Sequence, residues 1–310
     1  MATTPRNIKI PGQRLAKWAA TLLRHHPLHN LKPTTPPQAV TIVCISDSHN
    51  KQPKLSLGDV LIHAGDLTEN GNFDEFQTQL NWLASQPHNH KILIAGNHDV
   101  VLDEAFLRKF PERRYGKTQS AADLDWKSVK YLQDTSTTLT IDLGGSSRKL
   151  TVFGSPYTPK YGNSAFQYPG EEDIWAHRIP YDVDILVTHG PPRLYLDATA
   201  IQNAGCVFLA KRIHKVRPRL VVFGHIHVAH GRQETVLDSA RELHDDIVNR
   251  WGGYWTLAKL AAVILILKLQ VLLLGLQKVQ NRAQVTTFVN ASIVGGSDNE
   301  LKNEPTVVVI

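Results

Sequence analysis

Five apolar runs in this chain stop at polar residues of the same few kinds, and that pattern limits the fold more than any other feature. Val40 to Ser46 is apolar and β-branched and stops at Asp47-Ser48-His49. Later runs stop at Gly65-Asp66, at Gly96-Asn97-His98-Asp99, at His189-Gly190 and at Gly224-His225-Ile226-His227. Short runs of this composition are buried strands. Their ends present seven side chains able to bind a metal: Asp47, His49, Asp66, Asn97, His189, His225 and His227. An open α/β sheet gathers such groups, because its ligands bind beyond the carboxyl ends of the strands.

Between these ends the pattern alternates as an α/β domain requires. Asp59–Ala64 reads as a second strand, and Asn72 with Glu75 opens a helix that carries Phe73, Phe76, Leu80 and Leu83 on one face. Lys91–Ala95 is a third strand, and a helix follows near 103–110. The segments 129–132, 138–143 and 149–153 predict an antiparallel set turning at Gly144-Gly145. Asp184–Thr188 and Arg219–Phe223 are strands, Ala204–Val216 is a helix, and the chain from Val228 predicts an antiparallel partner to 219–223. Strand-like sequence resumes at 285–289 and 307–310. Residues 154–181, rich in Pro and aromatic side chains, form a long loop of the functional kind.

Charge divides the chain unevenly. Residues 1–46 carry Arg6, Lys9, Arg14, Lys17, Arg24 and Lys32 and no acid, so the net charge of +6 belongs to an arm and the body is neutral. That distribution argues against a nucleic-acid partner. Residues 1–39 are expected to be a basic N-terminal arm, with Leu15, Trp18, Leu22 and Leu23 at helical spacing, and 40–310 the main domain. Only two cysteines occur, Cys44 in a strand and Cys206 in a helix, which fits a reducing, cytoplasmic compartment.

An insertion at about 237–283 interrupts the alternation. Within it Leu257–Leu276 is almost wholly aliphatic and about as long as a bilayer core is thick. Membrane association through 257–276 is therefore expected, as a helix in one leaflet in preference to a span or a soluble packed helix. Phe288–Ser292 resembles a strand of the same folded body as Gly224–His227, which disfavours a single crossing.

Two divalent ions about 3.5–4 Å apart repel by roughly 17–19 kcal/mol at an effective dielectric near 20. A carboxylate that lies between them offsets this, and Gly65-Asp66 supplies one. Imidazoles at Asp47-x-His49 and His225-x-His227 and the amide of Asn97 complete a mixed shell. Such a shell suits Mn, Fe, Zn or Ni better than Mg or Ca.

The five blocks resemble the signature of the calcineurin-like metallophosphoesterases. Asp59-Val-Leu-Ile-His-Ala-Gly-Asp66, His189-Gly-Pro-Pro192, Arg217–Gly224 and Phe288-Val-Asn-Ala-Ser292 are similar to their metallophosphoesterase-domain-containing subfamily, related to a brain cyclic-nucleotide phosphodiesterase. The resemblance implies an α/β fold, a four-layer α-β-β-α sandwich of two mixed sheets flanked by helices. It places Asp47, His49, Asp66 and His227 on one metal and Asp66, Asn97, His189 and His225 on the other. It also implies in-line attack by a hydroxide bridging the metals, with His98, paired with Asp99, as the acid for the leaving oxygen. The substrate implied is a small phosphoester, a diester and a cyclic nucleotide among the candidates. A phosphomonoesterase and a non-catalytic scaffold of the same fold stay open. Leu67-Thr-Glu-Asn70 departs from the continuation found in protein Ser/Thr phosphatases and counts against that activity.

Overall fold

A computed structural model of the chain describes residues 11–34, 37–296 and 298–310. The first ten residues of the basic arm, Arg6 and Lys9 among them, lie outside the described residues. In chain order the elements are α1 (Pro11–Arg24), β1 (Thr41–Ile45), β2 (Val60–His63), α2 (Phe73–Ser85), β3 (His90–Leu93), α3 (Glu104–Lys109), β4 (Val129–Tyr131), β5 (Thr135–Asp142) and β6 (Ser147–Ser155). There follow β7 (Thr158–Pro159), β8 (Gln167–Tyr168), β9 (Ile185–Thr188), α4 (Val207–Val216), β10 (Leu220–Phe223), β11 (Gly231–Val236), α5 (Ser239–Val248), α6 (Tyr254–Leu274) and α7 (Leu276–Gln280). The chain closes with β12 (Val285–Asn290), β13 (Val294–Gly295), β14 (Glu300–Leu301) and β15 (Thr306–Val309). They fall into two compact units, one of residues 33–233 and 286–310, the other of the described part of 1–32 with 234–285.

The larger unit is built on two mixed sheets, ordered β15-β1-β2-β3-β4 and β11-β12-β10-β9-β6-β5. One side of most of these strands meets the other sheet. Ile42 and Cys44 of β1, Ile62 of β2, Val152 of β6, Val187 of β9, Val222 of β10 and Val289 of β12 share one buried cluster. Alternate residues of the first sheet, Val43, Ile45, Leu61 and Leu93, instead pack under α2 and α3 with Phe76, Leu80, Leu83 and Phe106. On the outer side of the second sheet, Tyr195 stacks on Phe288 of β12 at 4.2 Å between ring centroids. Its hydroxyl lies 3.0 Å from His214 Nε2 on α4. Period-two alternation thus builds the four layers, with the central strands β1, β2, β9 and β10 buried on both faces and the edge strands β5, β11 and β15 on one at most.

The helices begin where short polar groups can satisfy their free amides. Asn72 accepts from the Glu75 amide at 3.1 Å, and the Glu75 carboxylate accepts from the Gly71 amide at 3.0 Å. Cys206 caps α4 instead of lying inside it, with Sγ 3.4 Å from the Leu209 amide.

Two expected pairings are different. Segment 129–132 does not belong to the antiparallel set: β4 pairs parallel with β3, and only β5 and β6 form the hairpin. The chain leaves the first sheet after Leu132 and turns through Asp134, which adopts φ 51°. The partner of β10 is also not the chain after Val228. β12 takes that place in parallel, Phe288 beside Val221, and β11 lies outside it. A strand brought from sixty residues away fits there because its whole length from Thr286 to Asn290 is buried.

The smaller unit is helical. Leu15, Ala19 and Leu23 of α1, Ala240 and Ile247 of α5 and Leu260 and Ile264 of α6 form its core. His26 Nδ1 accepts from the Leu28 amide at 3.0 Å. Its Nε2 therefore donates to Asp238, the cap of α5, at 2.7 Å. The helix α6 is 21 residues long and apolar enough to cross a membrane by length and composition. It buries only Leu260 and Ile264. Each Leu or Ile it leaves in water forgoes about 1.5–3 kcal/mol of burial.

Candidate metal centre

All five strand ends meet at one place. The ends of β1, β2 and β10 reach it through residues in the left-handed region: Asp47 (φ 52°), His49 (φ 42°), Asp66 (φ 53°) and His225 (φ 69°). Non-glycine residues hold that conformation at a cost of about 1–2 kcal/mol each, and such strain collects at functional sites. Two glycines make room for the side chains. A Cβ on Gly224 would fall on the Asp47 carboxylate, and one on Gly96 on the Asp66 carboxylate.

Asp66 lies at the centre. Its Oδ1 accepts the His98 amide at 2.7 Å. Its Oδ2 is 3.3 Å from His189 Nε2 and 3.8 Å from His49 Nε2. One oxygen is thus tied to backbone while the other faces imidazoles on two sides. On one side Asp47, His49 and His227 bring a ligand atom each within 4.8 Å of one another, and on the other Asp66, His189 and His225 do the same. His227 Nε2 stands 3.3 Å from Asp47 Oδ1, and Asn97 Oδ1 3.1 Å from His189 Nε2. The seven side chains singled out at the strand ends are all here.

The electrostatics call for positive charge. Burial would lift the Asp66 carboxyl, yet His189, through charge and a hydrogen bond, with His98 and His49 behind it, holds it well below the usual range. Asp47 is also lowered: burial lifts it, and His227 and His189 outweigh that. Burial would keep His189 neutral, but the charge and hydrogen bond of Asp66, with Asp47 and the Ala64 carbonyl, raise it to about 9. His225, in contrast, is lowered to about 4 by burial and by the charge on His189. Two buried carboxylates draw protons onto neighbouring imidazoles, a task a divalent cation performs more directly.

His49 tests whether these residues suit a cation. Both of its ring nitrogens are buried without a hydrogen-bond partner. Glu69 Oε2 lies 3.2 Å from Nδ1, though not in hydrogen-bonding geometry. A buried imidazole left so is costly unless a metal takes one nitrogen. Ring orientation is fixed elsewhere in the manner of metal ligands: His189 Nδ1–H donates to the Ala64 carbonyl at 3.0 Å. The donor set fits a pair of cations.

The pairing of His98 with Asp99 is not what the structure holds. Asp99 is fully buried. Its carboxylate accepts from the amides of Gly96 at 2.8 Å, Leu67 at 3.2 Å and Thr68 at 3.0 Å, and from the Thr68 hydroxyl at 2.7 Å. These bonds lock the turn that carries Asn97 and His98, and none of them goes to the His98 ring. His98 Nδ1–H donates instead to the Glu69 carbonyl at 2.7 Å, and its ring stands edge-on to His49 at 4.8 Å.

Two contributors escape a reading by motif. Ser292, at the end of β12, donates to Asp47 Oδ2 at 2.6 Å, 245 residues away in sequence. Glu69 places a carboxylate beside His49 at the rim. Ser292 belongs to a block with a recognisable pattern, but neither residue type signals a site by itself.

Comparison with known proteins agrees with this geometry. The calcineurin-like phosphoesterase profile matches residues 40–229. An Emericella nidulans protein named probable rhamnogalacturonate lyase C is 40% identical over 281 residues, 90% of this chain and 25% of its own length. The human metallophosphoesterase domain-containing protein 1 is 36% identical over 214 residues, 63% of each chain. A UPF0046 protein of Caenorhabditis elegans is 33% identical over 206 residues, 65% of this chain and 68% of that one. The chain spans only a quarter of the first relative, so the lyase name belongs to a protein most of which lies outside the match.

Proposed function

Because this chain belongs to the calcineurin-like phosphoesterase family, whose members use divalent metal ions, we propose that it hydrolyses a small phosphodiester with a dinuclear centre. Asp47, His49, Asp66 and His227 hold one cation and Asp66, Asn97, His189 and His225 the other, with Asp66 common to both. Mn, Fe, Zn and Ni match a shell that mixes imidazole, carboxylate and amide. When bound, such a pair lowers the pKa of water and neutralises charge developing on the phosphoryl oxygens. The observation that carries the proposal is the placement of Asp66 Oδ2 between the two clusters, 3.3 Å from His189 of its own cluster and 3.8 Å from His49 of the other, with both His49 nitrogens left without hydrogen-bond partners.

The chain's own residues supply the rest. With Nδ1 committed to the Glu69 carbonyl, His98 keeps Nε2 for the leaving oxygen. It donates a proton there as that bond breaks. Asp99 holds the turn beneath it, and Ser292 fixes the Asp47 carboxylate. Glu69 favours a diester, because a rim carboxylate 3.2 Å from His49 repels a dianionic monoester more than a monoanionic diester. The test is hydrolysis of bis(p-nitrophenyl) phosphate beside p-nitrophenyl phosphate, with Mn, Ni or Zn restored to chelated protein. Faster turnover of the diester supports the proposal. No turnover of either with any metal identifies a scaffold.

A further inference from the structure

The helical unit leaves a face that water alone does not suit. On a wheel of 3.6 residues per turn, Trp255, Leu265, Ile266, Leu269, Leu272 and Leu273 fall within about 120° of one another, opposite the buried Leu260 and Ile264. Leu272 and Leu273 are each 79% exposed and Trp255 81%. The helix therefore has two apolar faces, one packed on α1 and α5 and one left uncovered by the described residues. Two polar seams separate them, Lys268 on one side and Lys259 with Gln270 on the other.

The uncovered face cannot belong to a membrane span. α6 is about 31 Å long, enough for a core of about 30 Å, but the chain must then return to the sheet that it left. β11 before the insertion and β12 after it are neighbours in one sheet. Between α6 and β12 lie residues 275–284, five of them helical in α7. That segment reaches about 25 Å at full stretch, short of a second crossing.

Charge selects the occupant. Residues 1–32 and 234–285 contain twelve Lys and Arg against five Asp and Glu, whereas the rest of the chain has 22 against 23. A second copy laid against the same face would bring like charges and paired lysines together. An anionic lipid leaflet takes the same apolar face and also neutralises the lysines, whose stems reach to the headgroups from both seams. Exposed Trp251, Tyr254 and Trp255 at the start of α6 are residues of the headgroup level.

We propose that the unit of α1, α5, α6 and α7 is a one-leaflet anchor, with α6 lying in the plane of an anionic membrane surface, its Leu265–Leu273 face in the acyl region and Lys259 and Lys268 at the headgroups. The test is co-sedimentation of the full chain with vesicles of phosphatidylcholine alone or mixed with phosphatidylserine. The chain pellets with the anionic vesicles, and Lys259→Gln with Lys268→Gln weakens that binding roughly 30-fold. Leu269→Glu with Leu273→Glu abolishes it. Both leucines are exposed, so circular dichroism and melting of that variant stay as in the parent. Retention of the parent in the supernatant overturns the proposal, as does undiminished pelleting of the glutamate variant. A lipid-free dimer that the glutamate pair splits into monomers also overturns it, and identifies a second copy as the occupant.

Discussion

The two units break the usual rule of burial in opposite directions. The larger one buries Asp47, Asp66, Asp99, His63 and His189, while the helical one exposes Leu265, Ile266, Leu269, Leu272 and Leu273. Buried charge costs several kcal/mol per ion unless partners compensate it, and exposed aliphatic surface forgoes what burial gives. Asp99 and His63 find their partners inside the protein; for the rest, as proposed above, a pair of cations completes Asp47, Asp66 and His189 and an apolar surface completes the helical unit. The difference is also one of precision: carboxylates and imidazoles must be aimed, and the body spends left-handed residues on aiming them, whereas an apolar face needs only to be contiguous.

The sharpest way to separate the two is a substitution that reaches the chemistry while leaving the seven ligand side chains and the helical unit in place. His98→Asn is expected to lower kcat by about 10²–10⁴ while metal content and vesicle binding stay as in the parent. A substrate with a good leaving group should suffer much less than one with a poor leaving group. Equal losses on both would remove His98 from the role of acid.

A smaller effect is expected one step back from the ligands. Ser292→Ala removes the hydroxyl that fixes Asp47 and should weaken metal affinity by about 10–100-fold, seen as a shift in the metal concentration needed for half activity. Saturating metal should restore most of kcat. If excess metal restores nothing, Ser292 acts otherwise than by positioning Asp47.

The smallest effect belongs to the helical unit. Asp238→Ala deletes the cap of α5 and the partner of His26 and should cost about 1 kcal/mol in thermal unfolding, with hydrolysis unchanged. Acid tests the same contact. Burial would raise the Asp238 carboxyl, but the hydrogen bond and charge of His26, with the amides of Arg241 and Ala240, depress it. A depressed carboxyl contributes stability that is present above its unfolded value near ~4 and lost as pH falls through the folded value. The alanine variant should therefore show a flatter melting profile between neutral and acid pH.

The sequence carried the two units unequally. The ends of β1, β2, β3, β9 and β10 were readable because apolar runs stopping at Asp, His or Asn are both a strand signal and a ligand signal. Sheet membership at 129–131 and beside β10 was not readable. Parallel pairing over long separations leaves no local mark, and a three-residue strand such as β4 suits either sheet. Adjacency of Asp99 to His98 in sequence says nothing of direction, and the turn sends the two side chains to different partners. In the helical unit, hydropathy revealed a long apolar helix but not which face was covered. That answer depends on α1 and α5, far apart in the chain and visible only once packed.

The central claim is that one carboxylate, Asp66, joins two metal sites, and metal analysis of purified protein tests it most directly. Full-length chain loaded with Mn or Zn and desalted should carry two ions per chain, and Asp66→Ala fewer than one, with hydrolysis at background. Two ions retained in Asp66→Ala, or fewer than one in the parent, would contradict the account.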